Sequence, residues 1–189
     1  HALKEWGFSP ELGLLAGTAF AALLGLAMGF LAVRRHGIYF AMVTLALSQM
    51  VYFVFLQAPF TGGEDGIQSV PKCMLLGVID LTQPLLLYYS VLAIVVAALA
   101  LIWRIIHSPF GNILRAIREN EARATSLGYL SSRYKLMAFV MSSALAGLAG
   151  SLKALSYQLA SLVDVTWQMS GEVILMTLLG GIGTFFGPI

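Results

Sequence analysis

Long runs of apolar residues constrain this chain more than any other feature of its sequence. The first run, 13–33, carries no charged side chain across its 21 residues. Because a helix rises about 1.5 Å per residue, roughly 20 apolar residues cross the ~30 Å hydrocarbon core of a bilayer. Comparable runs lie at about 37–57, 85–106 and 133–157, and a fifth apolar segment covers 172–189. We therefore expect an all-α fold, a polytopic bundle of transmembrane helices.

Composition supports a membrane protein and points away from enzymatic chemistry. Only 11% of the residues are charged, against about a quarter in soluble domains. The sequence contains no zinc signature, dinucleotide fingerprint or Walker A motif, and its single cysteine, Cys73, excludes a disulfide within the chain. Every Asp and Glu lies in a loop or at the end of a span, which argues against ion-driven transport. We expect no cofactor and no metal on this chain. If the protein transports a solute with the energy of ATP, a separate chain must bind the nucleotide.

Small residues recur at every fourth position in two of the spans. In the first span they are Gly13, Gly17, Ala21, Gly25 and Gly29. In the fourth they are Ala138, Ser142, Ala146, Gly150 and Ala154, with Ser143, Gly147 and Ser151 beside them. Since lipid tails surround apolar side chains as favourably as protein does, close backbone approach drives helix association in membranes. We predict that both stripes are contact faces and that the fourth span packs on protein over half its circumference.

The basic residues predict the orientation of the chain in the membrane. Eight of the eleven lie in two groups: Arg34, Arg35, Arg104, Arg115, Arg118, Arg123, Arg133 and Lys135. Cytoplasmic loops carry the excess of Lys and Arg, so 34–36 and 104–135 are predicted to be cytoplasmic. The loops 58–84 and 158–171 are then external, and Lys153 is expected to extend its amine to the outer interface.

The segment 108–132 is the one long polar passage between two spans. Ser108-Pro109 is typical of a helix start. Apolar residues then follow at helical spacing: Phe110, Ile113, Leu114 and Ile117. The opposite face carries Arg115, Arg118, Glu119 and Arg123. We predict an amphipathic helix whose Glu119 and Arg123 form an i,i+4 ion pair.

Two further signals bound the end of this helix. Gly128 follows Leu127 and predicts a helix stop, because glycine readily adopts the left-handed conformation that ends helices. Ser131 and Ser132 are expected to cap the helix that follows.

Polar and glycine-rich positions inside the spans are candidates for a solute path. Thr44, Ser48 and Tyr52 fall on one face of the second span, although Thr and Ser hydroxyls readily bond to carbonyls of their own helix, the interpretation we favour. The last segment is interrupted by a glycine cluster that includes Gly180, Gly181 and Gly183. Broken or re-entrant helices at membrane depth often mark transport sites. A plain flexible end explains the glycines equally well.

Several stretches together resemble one known family. They are HGIYFAMVTLALSQ, TGGEDGI, PFGNILRAIRENEARATSLGYLSSRYKLMAFVMSSALAGLAG and LMTLLGGIGTFFGP. The chain is similar to the inner-membrane permeases of bacterial ABC transporters for branched-chain amino acids, and the similarity covers most of its length. The family has more spans on each side, so this resemblance implies that the chain is a transmembrane permease domain truncated at both ends.

The resemblance implies a machine of several subunits: a second permease, two cytoplasmic ATPases that bind ATP and Mg, and an extracytoplasmic solute-binding protein. It also implies that 109–128 holds a coupling helix that docks on an ATPase and moves as a rigid lever. The residues assigned to coupling are Arg115, Arg118, Glu119, Glu121, Ala122, Arg123 and Gly128. Arg123 replaces the second alanine of the general Glu-Ala-Ala motif, and Gly128 lies one position later than in that motif.

Other functions remain open at this point. Permeases for urea or short amides in the same ABC family look alike, and only uptake of a defined solute separates them. A passive channel or facilitator, or a membrane scaffold that transports nothing, belongs to a different class. Neither needs a charged helical segment for docking, so 108–132 argues against both.

Overall fold

The computed structural model describes residues 10–35, 37–58, 67–68, 74–75, 79–80 and 83–181. The described part of the chain is mainly helical. Its helices are α1 (Pro10–Ala32), α2 (Ile38–Gln57), α3 (Pro84–Ile106), α4 (Pro109–Glu119), α5 (Glu121–Ser126), α6 (Ser131–Tyr157) and α7 (Trp167–Gly180). Its strands are β1 (Ile67–Gln68), β2 (Met74–Leu75), β3 (Ile79–Asp80) and β4 (Leu159–Ala160), and a short 3-10 helix covers Leu162–Val165.

Four of the helices, α1, α2, α3 and α6, are long and apolar enough to cross a bilayer. They have 23, 20, 23 and 27 residues and overlie the first four predicted spans. Helix α7 has 14 residues, or roughly 21 Å of helix, and ends at Gly180. The fold is therefore a polytopic helical bundle, as predicted. Part of the predicted fifth span, 182–189, lies outside the described residues, and so does Gly183.

The main packing contact joins α1 to α6. Gly25 and Gly29 are buried, Gly25 against Ser143 and Gly29 against the side chains of Leu136 and Phe139. A methyl group on Gly17 would lie 3.3 Å from the Cβ of Ser151. Because contacts later in α1 fall earlier in α6, the two helices run antiparallel. The small-residue stripe of α1 is a contact face, as predicted.

The contact face of α6 is not the stripe that we predicted. Ser142, Ala146 and Gly150 are exposed, and a Cβ on Gly150 would meet nothing within 4 Å. The adjacent stripe, which includes Gly147, faces α1 instead. A Cβ on Gly147 would clash with Ala21 and lie 3.1 Å from the carbonyl oxygen of Gly17, so the absence of a side chain there lets the two backbones approach.

A pair of short strands joins the two segments that were predicted to be external, and an ion pair joins the second segment to α6. Strand β1 pairs with β4 in antiparallel fashion, Ile67 opposite Ala160, and β2 pairs with β3. Lys153 Nζ lies 2.6 Å from Asp164 Oδ1. Lys153 thus ends in an ion pair with the segment after α6. The described parts of the expected loops 58–84 and 158–171 therefore meet at β1 and β4.

A tight turn joins α1 to α2 at the opposite end. The N–H of Arg35 donates to the carbonyl of Ala32 at 2.9 Å, and Gly37 precedes α2 with φ 62° and ψ −136°. That backbone conformation is open to glycine and strained for other residues. His36 lies outside the described residues.

Replacing Gly147 by valine is expected to lower the stability of the full-length protein by about 1–3 kcal/mol, because the added atoms overpack the contact with α1. Unfolding in a denaturing-detergent titration measures this. Gly150→Val is the matched control, since it makes the same exchange in the same helix at an open position. Equal losses for the two variants would show that the α1–α6 contact does not depend on Gly147.

Candidate functional site

The polar segment leaves α3 through a sharp, capped turn. Ser108 Oγ accepts from the N–H of Gly111 at 3.4 Å and donates to the carbonyl of Ile105 at 2.6 Å. Pro109 occupies the first helical position of α4, as predicted. Gly111 is buried, and a Cβ there would clash with the carbonyl of Ile106. The turn therefore needs both the serine cap and the small glycine.

Helix α4 is amphipathic in the predicted register. Ile117 is buried, and Phe110, Ile113 and Leu114 are half-buried. The ring of Phe110 lies 5.8 Å from that of Tyr134 in α6, between centroids. The apolar face thus holds α4 against the start of α6, while Arg115, Arg118 and Glu119 are exposed.

The predicted single helix over 109–128 is wrong, because the chain breaks at Asn120. That residue has φ −156° and ψ 99°, and its Oδ1 accepts from the N–H of Arg123 at 3.0 Å, which caps α5. Glu119 and Arg123 consequently lie on different helices, and the predicted ion pair between them does not form. Asparagine followed by Glu121 in the first helical turn is a recognisable helix start, so the sequence did carry a signal for the break.

The predicted stop at Gly128 is confirmed. Gly128 has φ 89°, its N–H donates to the carbonyl of Thr125 at 2.9 Å, and the N–H of Tyr129 donates to that of Ala124 at 3.2 Å. This pair of bonds is a Schellman motif, which satisfies carbonyls at the helix end. The next cap differs from the prediction: α6 begins at Ser131 after Leu130, with no side-chain cap.

An ion pair fastens α5 to α6. Lys135 Nζ donates to Glu121 Oε1 at 2.6 Å, and the two side chains are 33% and 34% exposed. Ala124 of α5 is buried as well. Glu121 is one of the residues assigned to coupling in the sequence. Lys135 was not assigned to the site, because a pair of residues 14 positions apart leaves no periodic signal in the sequence. The remaining coupling candidates, Ala122 and Arg123, are exposed.

The candidates for a solute path lie on α2 and at the end of α7. Thr44 Oγ1 donates to the carbonyls of Phe40 and Ala41 at 3.0 and 2.9 Å, and Ser48 Oγ donates to that of Leu45 at 2.8 Å. These hydroxyls are therefore satisfied within α2, the interpretation favoured for the sequence.

Tyr52, the third member of that face, stacks edge-on against Phe53 at 5.7 Å. Helix α2 contacts α7, which ends at Gly180, and Gly181 follows with φ 103°. The face of α2 that carries Thr44, Ser48 and Tyr52 thus belongs to a helix that contacts the one ending at Gly180, and Gly183 lies outside the described residues. No group of three or more His, Cys, Asp or Glu is placed to hold a metal ion within the described ranges.

Four bilayer-length helices and a charged helical segment held against their ends define a multi-pass membrane protein of the permease class. The chain belongs to the family described as "Branched-chain amino acid transport system / permease component", whose model matches residues 1–189. This is a family of transport permeases and not of enzymes.

Curated relatives support the same family. The chain is 32% identical over 213 aligned positions to the "High-affinity branched-chain amino acid transport system permease protein LivM" of Escherichia coli strain K12, covering 100% of the chain and 49% of that protein. LivM of Salmonella typhimurium strain LT2 gives the same values. The "Autoinducer 2 import system permease protein LsrC" of Enterobacter sp. strain 638 is 27% identical, covering 96% of the chain and 52% of that protein. The chain thus spans about half the length of these relatives, and no solved structure matches it.

Replacing Gly128 by alanine is expected to destabilise the end of α5 by about 1–2 kcal/mol, because a Cβ disfavours positive φ. Faster hydrogen exchange at the amide of Tyr129, which donates across the motif, reports this loss. Gly128→Asn is the matched variant, since asparagine tolerates the left-handed region better than alanine. Equal exchange rates in the two variants would contradict the assigned role of the positive φ.

Proposed function

We propose that this chain is part of a permease subunit of an ATP-driven importer for branched-chain amino acids. The observation that carries the proposal is the family match over the entire chain. The 32% identity to two permeases named for high-affinity branched-chain amino acid transport supports the same solute class. The protein would lie in the bacterial inner membrane, with 34–36 and 104–135 cytoplasmic.

The partners follow from the chemistry that the chain lacks. Its sequence has no nucleotide-binding motif, so ATP and Mg would bind two separate ATPase subunits at the cytoplasmic face. A second permease subunit and an external solute-binding protein would complete the transporter. The paired segments at the other end of the bundle, β1 and β4, are the part of this chain that would face the binding protein.

The polar segment is proposed to receive the ATPase. Its exposed charged residues include Arg115, Arg118, Glu119 and Arg123, and Ala122 is exposed beside them. Guanidinium groups form directional, charge-assisted hydrogen bonds to carboxylates, so this surface suits an acidic cleft on a protein partner. Gly128 would limit the docking region by ending α5.

Movement would pass from the docking surface to the bundle through three contacts. They are the Glu121–Lys135 ion pair, the Phe110–Tyr134 ring contact and the burial of Ile117. Since α4 and α5 are separate helices capped at Asn120, the lever consists of two short helices fixed to α6. Helix α6 in turn packs on α1, so these two helices would move together.

The solute path is proposed to run beside this pair. Thr44, Ser48 and Tyr52 on α2, together with Gly180, Gly181 and Gly183 at the end of α7, are the candidate lining residues. Helix α7 ends at Gly180, and interrupted helices at membrane depth are places where backbone groups can bind polar parts of a solute.

Charge reversal tests the docking surface. Arg118→Glu combined with Arg123→Glu is expected to weaken ATPase association by about tenfold or more, because like charges would then face each other across the interface. Co-purification of the ATPase with the full-length permease, and ATP-driven uptake, both measure the loss. Arg104→Glu is the control, since it reverses an exposed charge near the segment but outside α4 and α5. If the double variant still associates with the ATPase, the proposed docking role of α4 and α5 is contradicted.

Reconstitution tests the solute and the energy source. Vesicles that contain the full-length permease with its partners are expected to accumulate leucine when ATP and the binding protein are present. Uptake of urea or acetamide instead of leucine would favour the alternative within the ABC family. Leucine flux that proceeds without the ATPase subunits would identify a passive facilitator.

A further inference from the structure

A groove of about 320 Å³ lies at the junction between α5 and α6, near the end of the bundle that is predicted to face the cytoplasm. Its lining combines one cation with two phenol rings and apolar side chains: Gly128, Tyr129, Leu130, Arg133, Tyr134 and Met137. The volume is at the lower end of the range of about 300–1,000 Å³ that is usual for small-molecule sites. The charged residues that are proposed to receive the ATPase do not line this groove.

The polar part of the groove consists of hydrogen-bond donors. Arg133 is exposed and forms no ion pair with any residue that the structure describes. The hydroxyls of Tyr129 and Tyr134 form no hydrogen bond to a described residue either. Of the described residues that line the groove, none is acidic. A matching ligand therefore presents negatively charged oxygen atoms, which accept charge-assisted hydrogen bonds from a guanidinium group.

The two tyrosines are positioned by neighbouring rings and by the end of α5. The ring centroids of Tyr129 and Tyr134 lie 6.2 Å apart in an edge-on arrangement, and Phe110 of α4 lies 5.8 Å from Tyr134. Tyr129 directly follows Gly128, whose positive φ ends α5, and its N–H donates to the carbonyl of Ala124 at 3.2 Å. The donors of the groove are therefore held by a hydrogen-bonded turn and by the first turn of α6.

The apolar part of the groove extends towards the bilayer. Met137 follows Arg133 by about one helical turn on the same face of α6, and it is 55% exposed. Leu130, directly before α6, is 57% exposed. Because α6 is long and apolar enough to cross the membrane, Met137 lies nearer the hydrocarbon core than Arg133 does. A soluble anion would leave these apolar side chains uncovered, whereas hydrocarbon chains bound beside them remove apolar surface from water.

We propose that this groove binds the headgroup of an anionic phospholipid of the cytoplasmic leaflet. Arg133 and the hydroxyls of Tyr129 and Tyr134 donate to the phosphate oxygens, and the acyl chains lie along Met137. Tyrosine is enriched at membrane interfaces, arginine extends its charge to them, and the cytoplasmic leaflet carries negative charge. A bound lipid fixes the turn between α5 and α6 relative to the leaflet. The inference goes beyond the proposed function and does not depend on the solute.

Native mass spectrometry of the full-length permease in detergent tests this site. The protein is titrated with phosphatidylglycerol or with phosphatidylcholine of the same acyl chains, and one phosphatidylglycerol is expected to bind more tightly than any phosphatidylcholine. Arg133→Gln should raise its dissociation constant by about tenfold or more, because a charged donor is lost. Tyr129→Phe, which removes only a hydroxyl, should raise it by about threefold. Arg133→Lys should restore part of the affinity, since a positive charge remains.

Arg104→Gln is the matched control. It removes a basic residue from the last turn of α3, at the same predicted end of a span, and Arg104 does not line the groove. The dissociation constant of phosphatidylglycerol is expected to stay unchanged in this variant. Equal losses for Arg104→Gln and Arg133→Gln would show a general attraction of anionic lipid to basic residues and would overturn the site. Equal affinities of the unmodified protein for the two lipids would overturn it as well.

Two further titrations identify the occupant. Glycerol 1-phosphate, which has no acyl chains, is expected to leave the lipid bound, and displacement would assign the groove to a soluble phosphate ester. The ATPase subunits are also expected to leave the lipid bound, and displacement by them would assign the groove to the protein interface. None of these measurements uses transport. Absence of leucine uptake would therefore reject the proposed function and leave the lipid site standing.

Discussion

The close approach of α1 and α6 is the contact on which the rest of the structure depends. In a bilayer, burying apolar side chains between helices gains little over contact with lipid, so the helices associate where their backbones pack tightly. Gly25 and Gly29 are buried in that contact, and Gly147 faces Ala21. Many large apolar side chains, including several on α1 itself, are exposed. The close backbone contact that the glycines permit therefore sets the position of α6 more than the burial of apolar side chains does.

The position of α6 determines the position of the polar segment. The start of α6 supplies Lys135 for the ion pair with Glu121 and Tyr134 for the ring contact with Phe110. Both contacts join residues that are far apart in sequence. Because the ion pair is partly exposed, it contributes at most about 1 kcal/mol by itself. The main effect of the ion pair is to fix the position of α5 relative to α6, which itself packs on α1. A cavity of about 460 Å³ lies beside this ion pair, lined by Glu121 and Lys135 and by residues at the α1–α2 turn.

The two ends of the bundle differ in chemistry in a way that suits transport between two compartments. One end carries the basic segment, the Gly37 turn and the charged cavity. The other carries short paired strands and the Lys153–Asp164 ion pair. A partner that hydrolyses ATP and a partner that delivers solute would each meet a surface of distinct charge. The basic end is the one that the distribution of Lys and Arg predicts to be cytoplasmic.

The sequence by itself determined the features that depend on neighbours along the chain. Apolar run length located four helices, helical spacing identified the apolar face of α4, and Ser108 and Gly128 acted as the predicted start and stop signals. The tertiary structure alone decided which of two adjacent stripes on α6 faces α1, because both stripes consist of small residues and differ only in what lies opposite. The expected Glu119–Arg123 pair is lost for a local reason, the capped break at Asn120, which the sequence does signal. Only the tertiary structure decided that Glu121 pairs with Lys135, because contacts between residues far apart in sequence leave no local pattern.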